Sequence, residues 1–271
     1  MADVTVADIE AARAAARYPS LKDKAVLVTG GASGIGASTV VHFMVQGAKV
    51  GFIDRDRDAA EALLATLKEA GLQEAGETAP LFVACDLTDI NAARAAARQI
   101  EDRHGPIRVL VNNAARDDRH TLAEVTPEYW DDRINVNLRH QFFMAQFVVP
   151  GMAKAGGGSI VNLGSTSWKI CTEDLAVYQT AKAGVVGLTR GLARDLGPSR
   201  IRVNHVAPGW IMTERQKNLW VTPEKLEGTL ARQCLKDELR PHDVARMILF
   251  LGADDSSMLS AQTFIVDAGT V

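Results

Sequence analysis

An excess of charge of either sign is missing from this 271-residue sequence: 30 Lys and Arg face 33 Asp and Glu, a formal net charge of −3. Without a basic excess there is little to neutralise a phosphate backbone, so nucleic acid is not an expected partner. Cysteine is scarce. Cys85, Cys171 and Cys234 are odd in number and far apart, which yields neither a disulfide framework nor a zinc pattern and suits a reducing cytoplasm. No apolar run approaches the roughly 18–20 residues that cross a bilayer. The first residues, with Asp3, Asp8 and Glu10, lack the apolar stretch of a signal peptide. The six histidines show no H-E-x-x-H or similar pairing, so no metal site is expected. A soluble cytoplasmic protein is the expectation.

Repeats and Gly/Ser/Pro-rich linkers are also absent, which favours one domain over residues 21–271, preceded by an arm, residues 1–20, with a surface helix near 7–16. What is there is alternation. Short β-branched or apolar runs at 25–29, 49–54, 81–86, 109–112, 159–164, 202–207 and 262–266 have strand length. Between them, 35–46, 58–70, 91–104, 127–155, 176–196, 223–234 and 241–251 carry helical spacing. Runs such as AVLVT and VLVNN do not alternate with polar residues, as expected of strands buried on both faces. The predicted fold is α/β: a doubly wound, Rossmann-type parallel sheet of about seven strands with helices on both faces.

The first strand runs into Thr29-Gly30-Gly31-Ala32-Ser33-Gly34-Ile35-Gly36 and then a helix. Glycines there let backbone approach a pyrophosphate, and the helix N-terminus favours its charge. The spacing is G-x-x-x-G-x-G, and a glycine cluster alone is weak evidence; its place between strand one and helix one strengthens it. Asp54 closes the second strand, where a carboxylate accepts hydrogen bonds from ribose hydroxyls and repels a 2′-phosphate. NAD is therefore expected over NADP, with Arg55 the one dissenting residue, because a guanidinium can bind phosphate.

Tyr178 and Lys182 stand four apart on a predicted helix and so share a face. Ser165 follows the fifth strand, at the carboxyl edge where open α/β sheets bind ligands. Asn137 lies in INVNL on the long helix after strand four.

With these residues in place the sequence resembles the short-chain dehydrogenase/reductase family from about Leu21 to Asp267. The likeness runs through TGGASGIG, CDL, NNAA, VNL, VNLGSTS, YQTAK, APGWIMT and VDAG, in order. The resemblance implies that Tyr178 is the general base, its phenolate favoured by the Lys182 ammonium, although a free phenol has a pKa of about 10. It implies that Lys182 also binds the nicotinamide ribose, that Ser165 holds the reacting oxygen, and that Asn137 helps hold a relay water. For the cofactor it implies Gly30, Ser33, Gly34, Ile35, Gly36 and Asp54, with Asp86 and Leu87 at the adenine and Asn113 at a ribose. Tyr178 and Lys182 complete that set with Ile211 and Thr213, at the carboxamide. Two departures from the family pattern are Ala115, where glycine is usual in NNAG, and Arg139-His140 after VNL, which is expected to alter only the helix surface.

The loop Arg116-Asp117-Asp118-Arg119-His120 suits a polyhydroxylated ligand better than a sterol or acyl chain. Asp117, Arg119, Ser165, Ser167, Trp168, Tyr178 and Trp210 are the candidate substrate residues, indoles being able to stack on sugar C–H faces. NNAARDDRH and YWDDRINVNLRH are similar to the aldose 1-dehydrogenase branch of the family, of the D-xylose type, which implies oxidation of the C1 hydroxyl of a cyclic sugar to a lactone with NAD. The alternative is a dehydrogenase of a 2-keto-3-deoxy sugar acid, with Arg119 or Arg215 on the carboxylate, or of another polyol-like alcohol. A 3-oxoacyl reductase and a non-catalytic NAD-binding protein rank below these. Family members also imply a homo-oligomer, with a tetramer favoured.

Overall fold

The computed structural model describes residues 4–72 and 79–271. Its centre is β1 (Ala25–Thr29), buried along its whole length as an apolar run of five residues must be. From there the chain moves outward through α2 (Gly34–Val45), β2 (Lys49–Asp54), α3 (Arg57–Glu69) and β3 (Leu81–Ala84). It then returns through α4 (Ile90–His104) to place β4 (Val109–Asn112) on the other side of β1. β5 (Gly158–Leu163), β6 (Ile201–Pro208) and β7 (Thr263–Val266) follow outward, giving the order β3-β2-β1-β4-β5-β6-β7. Every pairing is parallel, the expected seven-stranded sheet.

Alternate strand residues feed two cores. Val26, Val28, Val50 and Phe52 pack with α2, α3 and α10 (Pro241–Gly252) on one face. Leu27, Ile53, Leu110 and Ile160 pack with α4, α6 (His140–Lys154) and the end of α7 (Ala176–Leu196) on the other. The caps are legible in the sequence. Asp56 and Asp89 accept from backbone N–H groups at the starts of α3 and α4, and Thr126 and Thr222 do so at α5 (Pro127–Ile134) and α9 (Pro223–Arg232), each followed by proline.

From Val4 on, the arm is docked on the domain. Helix α1 (Val6–Arg13) buries Ile9 and Ala12, Gln46 Nε2 donates to Ala16 O at 3.0 Å, and Arg13 donates to Ala70 O at 2.8 Å. The predicted helix over 127–155 differs in one respect: between α5 and α6 the chain widens into a π turn, Asn135–Arg139. Such turns break the regular hydrogen-bond ladder and often mark functional positions. Among the described residues no helix is long and apolar enough to cross a membrane.

Candidate active site

The sheet changes winding direction between β1 and β4, and the crevice beyond their carboxyl ends is where open α/β sheets take ligands. Gly30 leaves β1 with φ +64°, and a Cβ there would lie 2.7 Å from Ala114 Cα. A Cβ on Gly36 would lie 1.8 Å from Gly30 O, so only glycine lets the first turn of α2 close on the loop. Asn113 braces the same loop: its side-chain amide donates to Thr29 O at 3.1 Å and to Gly30 O at 2.8 Å. Ser33 is the N-cap of α2 but makes no side-chain capping bond, and no acidic residue occupies the first turn. That end of α2, which includes Ile35, therefore keeps the positive character that suits an anion.

Asp54 sits at the lip of the loop, with Oδ2 accepting from Ala32 N–H at 3.0 Å and Oδ1 from Asp56 N–H at 3.1 Å. Burial opposes the charge of Asp86, but the Thr88 backbone and hydroxyl and the guanidinium groups of Arg55 and Arg116 hold its carboxyl below the usual range. Leu87 beside it is buried. Across the crevice, Ile211 is buried and the Thr213 methyl approaches Gly34, lying 3.0 Å from where a Cβ would be. Thr213 also caps α8 (Glu214–Leu219), its hydroxyl accepting from Gln216 N–H at 3.2 Å.

Ser165, two residues beyond β5, accepts from Ser167 N–H at 3.0 Å. Tyr178 and Lys182 lie on α7, where the Lys182 ammonium donates to Leu163 O at 2.9 Å and stands 5.6 Å from the Tyr178 ring centre. Burial lowers Lys182 to about 7, while Asp117 acts the other way. Burial raises the Tyr178 phenol, and Asp117 raises it further; a hydrogen bond with Ser165 and the charge of Arg119 pull it down. The three groups are thus brought together in a place where added positive charge favours the phenolate.

Asn137 lies on the π turn and is fully buried. Its side chain clamps the loop after β4, accepting from Arg116 N–H at 2.9 Å and donating to Arg116 O at 3.0 Å and Arg133 O at 2.9 Å. Its backbone carbonyl accepts from Gln141 Nε2 at 3.3 Å, and the same nitrogen donates to Leu163 O, the acceptor of Lys182. Asp117 is joined to α8 through Gln216, and Trp210 Nε1 donates to Gln216 Oε1 at 2.8 Å. Arg119 lies over the Trp220 ring at 5.3 Å. Ser167 Oγ and Trp168 Nε1 are buried without a protein partner among the described residues.

Several contributors escaped the sequence reading. Gln216 and Gln141 carry no motif, and His140, expected on a helix surface, is wholly buried, while Arg139 beside it donates to Thr88 O at 2.7 Å. The one available signal was spacing: His140 falls one turn after Asn137, and Gln216 stands at the third helical position after the Thr213 cap.

Against known proteins, residues 30–271 match the family model described as enoyl-(acyl carrier protein) reductase. The chain belongs to the short-chain dehydrogenase/reductase family. The D-xylose 1-dehydrogenase of Caulobacter vibrioides is 48% identical to it over 252 residues, covering 93% of this chain and 97% of the other. A Rhizobium meliloti protein named "Probable galactose dehydrogenase" is 49% identical over 253 residues, with coverage of 93% and 97%. A solved short-chain type dehydrogenase/reductase from Mycobacterium ulcerans superposes with a TM-score of 0.86 at 26% identity, covering 93% of this chain and 90% of that one. This short-chain dehydrogenase/reductase is an oxidoreductase, and enzymes of its family work with NAD or NADP. The glycine cradle that a Cβ would fill, and the buried donors of Ser167 and Trp168, which meet no acceptor among the described residues, fit such a dinucleotide and its substrate.

Proposed function

We propose that this protein is an NAD-dependent aldose 1-dehydrogenase, oxidising the C1 hydroxyl of a cyclic pentose or hexose to the lactone. The observation that carries this reading is the hydrogen-bonding loop Asp117–Arg119 set beside Tyr178, Ser165 and Lys182, in a chain similar to named xylose and galactose dehydrogenases. Ser165 would hold the reacting hydroxyl, and the Tyr178 phenolate would take its proton. Lys182, by its positive charge, would keep the phenol ionised. When bound, the dinucleotide supplies the hydride acceptor and a further positive charge. Gly30, Ser33, Gly34, Ile35 and Gly36 would cradle its phosphates, Asp54 and Asn113 would meet its riboses, Asp86 and Leu87 its adenine, and Ile211 and Thr213 its carboxamide.

Asp54 at the lip of the glycine loop supports NAD over NADP, because a carboxylate there repels a 2′-phosphate. Arg55, which could argue otherwise, is near enough to Asp86 for its charge to help hold that carboxyl low. The sugar-acid alternative is weakened by Arg215, whose guanidinium is already taken by Asp118 at 2.8 Å and by Asp117 at 3.5 Å. A homotetramer in the cytoplasm belongs to the same reading; the exposed Trp130 and Phe142 on α5 and α6 support association, and light scattering at micromolar concentration tests it.

The test is the initial rate of dinucleotide reduction across a panel of aldoses and sugar acids, with NAD and NADP. Strong turnover of one free aldose with NAD, and a lactone product by NMR, is expected. Turnover of a sugar acid alone would overturn the sugar assignment and leave the catalytic one standing.

A further inference from the structure

Helix α7 carries Tyr178 in its first turn, yet its own sequence supplies no cap for that end. Leu175 stands at the N-cap position without a side-chain capping bond, and no acidic residue occupies the first turn. Gln179 N–H donates to Leu175 O at 2.8 Å, closing the first turn, so the N–H groups of the three residues before Gln179 need acceptors from elsewhere. The Val177 N–H finds one far away in sequence: it donates to Nε2 of His120 at 3.3 Å. Both residues are buried, and a buried N–H that loses its acceptor is not rescued by bulk water. The backbone of His120 makes a second tie to the same place, its N–H donating to Asp174 O at 2.9 Å. Asp174 itself turns the chain towards the helix with φ +57°.

The direction of this bond fixes the imidazole. A backbone N–H can only donate, so Nε2 accepts, the ring is neutral and its proton is on Nδ1. Nδ1 lies 3.2 Å from Tyr129 Oη and 3.5 Å from Asp118 O. Tyr129 Oη in turn donates to Asp118 O at 3.2 Å, a carbonyl that can only accept. The chain therefore runs one way, from Val177 N–H through His120 and Tyr129 to Asp118. Its far end is well anchored. The Asp118 carboxylate is paired with Arg116 at 2.9 Å, with Arg215 at 2.8 Å and with Arg133, and Arg133 lies over the Tyr129 ring at 5.1 Å.

We propose that His120 caps α7 from the loop after β4 and so acts as a positioning residue for Tyr178, which directly follows the capped amide. The inference rests on the assignment of Tyr178 as the base of the reaction. A Ser, Thr, Asn or Asp at position 175 would be the ordinary cap, but a carboxylate there would bring negative charge within one turn of a phenol that has to ionise. A neutral imidazole satisfies the amide without that charge. Without the acceptor, the first turn of α7 loosens and takes Tyr178 with it. Lys182 stays in place, because it lies one turn further on and is tied to Leu163 O at 2.9 Å. Base and lysine then lose their mutual alignment, and a displacement of about 1 Å at a reacting group is enough to cost up to about a hundredfold in rate.

The experiment compares the full chain with His120→Leu, which removes the acceptor, and His120→Gln, whose side-chain oxygen restores one. Exchange of the Val177 amide, followed by NMR without cofactor or substrate, is expected to be at least about fivefold faster in His120→Leu and to return most of the way in His120→Gln. With whichever alcohol turns over, kcat should fall at least about tenfold in His120→Leu, with KM for the dinucleotide within about twofold, and recover in His120→Gln. An unchanged Val177 exchange or an unchanged kcat in a folded His120→Leu protein overturns the proposal, since a residue that only fills space would lower melting temperature without moving either. Equal loss in both variants overturns it too. The wild-type protein gives an answer independent of variant folding. Long-range ¹H–¹⁵N correlations in histidine-labelled protein at about pH 8 should show a neutral His120 ring with its proton on Nδ1, and a proton on Nε2 overturns the proposal. The exchange and tautomer readouts need no substrate, so inactivity towards aldoses refutes the sugar assignment and not this one.

Discussion

Gln216 and Asp117 are joined by a single 2.6 Å hydrogen bond, Nε2 to Oδ2, between α8 and the loop after β4. Around it, Arg215 reaches Asp118 at 2.8 Å and Trp210 Nε1 donates to Gln216 Oε1 at 2.8 Å. These contacts hold a six-residue helix over the crevice, a position it has little apolar burial of its own to keep. Gln216→Ala is expected to raise KM for the sugar about tenfold with kcat within about twofold, since a hydrogen bond to a charged group is worth roughly 1.5–3 kcal/mol. Steady-state kinetics with saturating NAD checks this, and an unchanged KM would refute the latch.

Tyr178→Phe removes the base and keeps the ring. The expected loss is between about a hundredfold and ten-thousandfold in kcat, with NADH affinity by fluorescence titration close to wild type. Normal turnover in this variant would refute the assignment of the base.

Lys182 couples catalysis to stability. Its folded pKa, near 7, lies below the ordinary lysine value of 10.5, so between these values the unfolded chain binds more protons than the folded one. Stability should therefore rise with pH across that window, and the full penalty is present below it. Lys182→Met is expected to be nearly inactive yet to melt several degrees higher than wild type at pH 7, with a gap that narrows towards pH 9. Calorimetry at the two pH values measures it. A lower melting temperature for the variant at pH 7 would contradict the direction of the shift.

Asp54 should decide the dinucleotide. In Asp54→Ala the kcat/KM ratio of NAD to NADP is expected to fall at least about tenfold, because the repulsion of a 2′-phosphate and the acceptor for ribose hydroxyls disappear together. The two cofactors are compared at one sugar concentration. An unchanged ratio would move the discrimination to another residue, Arg55 first.

The sheet could be read from the sequence because its strands are continuous apolar runs, and AVLVT has no other place to go than between two layers of helices. Tyr178, Lys182 and Ser165 were legible through spacing and their position beyond a strand. The π turn was not: one extra residue in a turn leaves no compositional trace. Helix α8 was missed for the opposite reason, since ERQKNL is too short and too polar to show a periodic face. His140 was misjudged because its neighbour Arg139 is polar and partly exposed, whereas the imidazole is buried by tertiary packing that the local sequence does not show.

The shared acceptor at Leu163 has a mechanical consequence. Lys182 from α7 and Gln141 from α6 both hang on the last carbonyl of β5, while Asn112 and Asn162 tie β4 and β5 to the same helices. These hooks cannot be released one at a time without stranding buried polar atoms, so α6, α7 and the central strands should exchange their amide hydrogens as one slow cooperative unit. Helix α8, held by partly exposed side-chain contacts, should exchange orders of magnitude faster, so local opening is expected there and not around Tyr178 and Lys182.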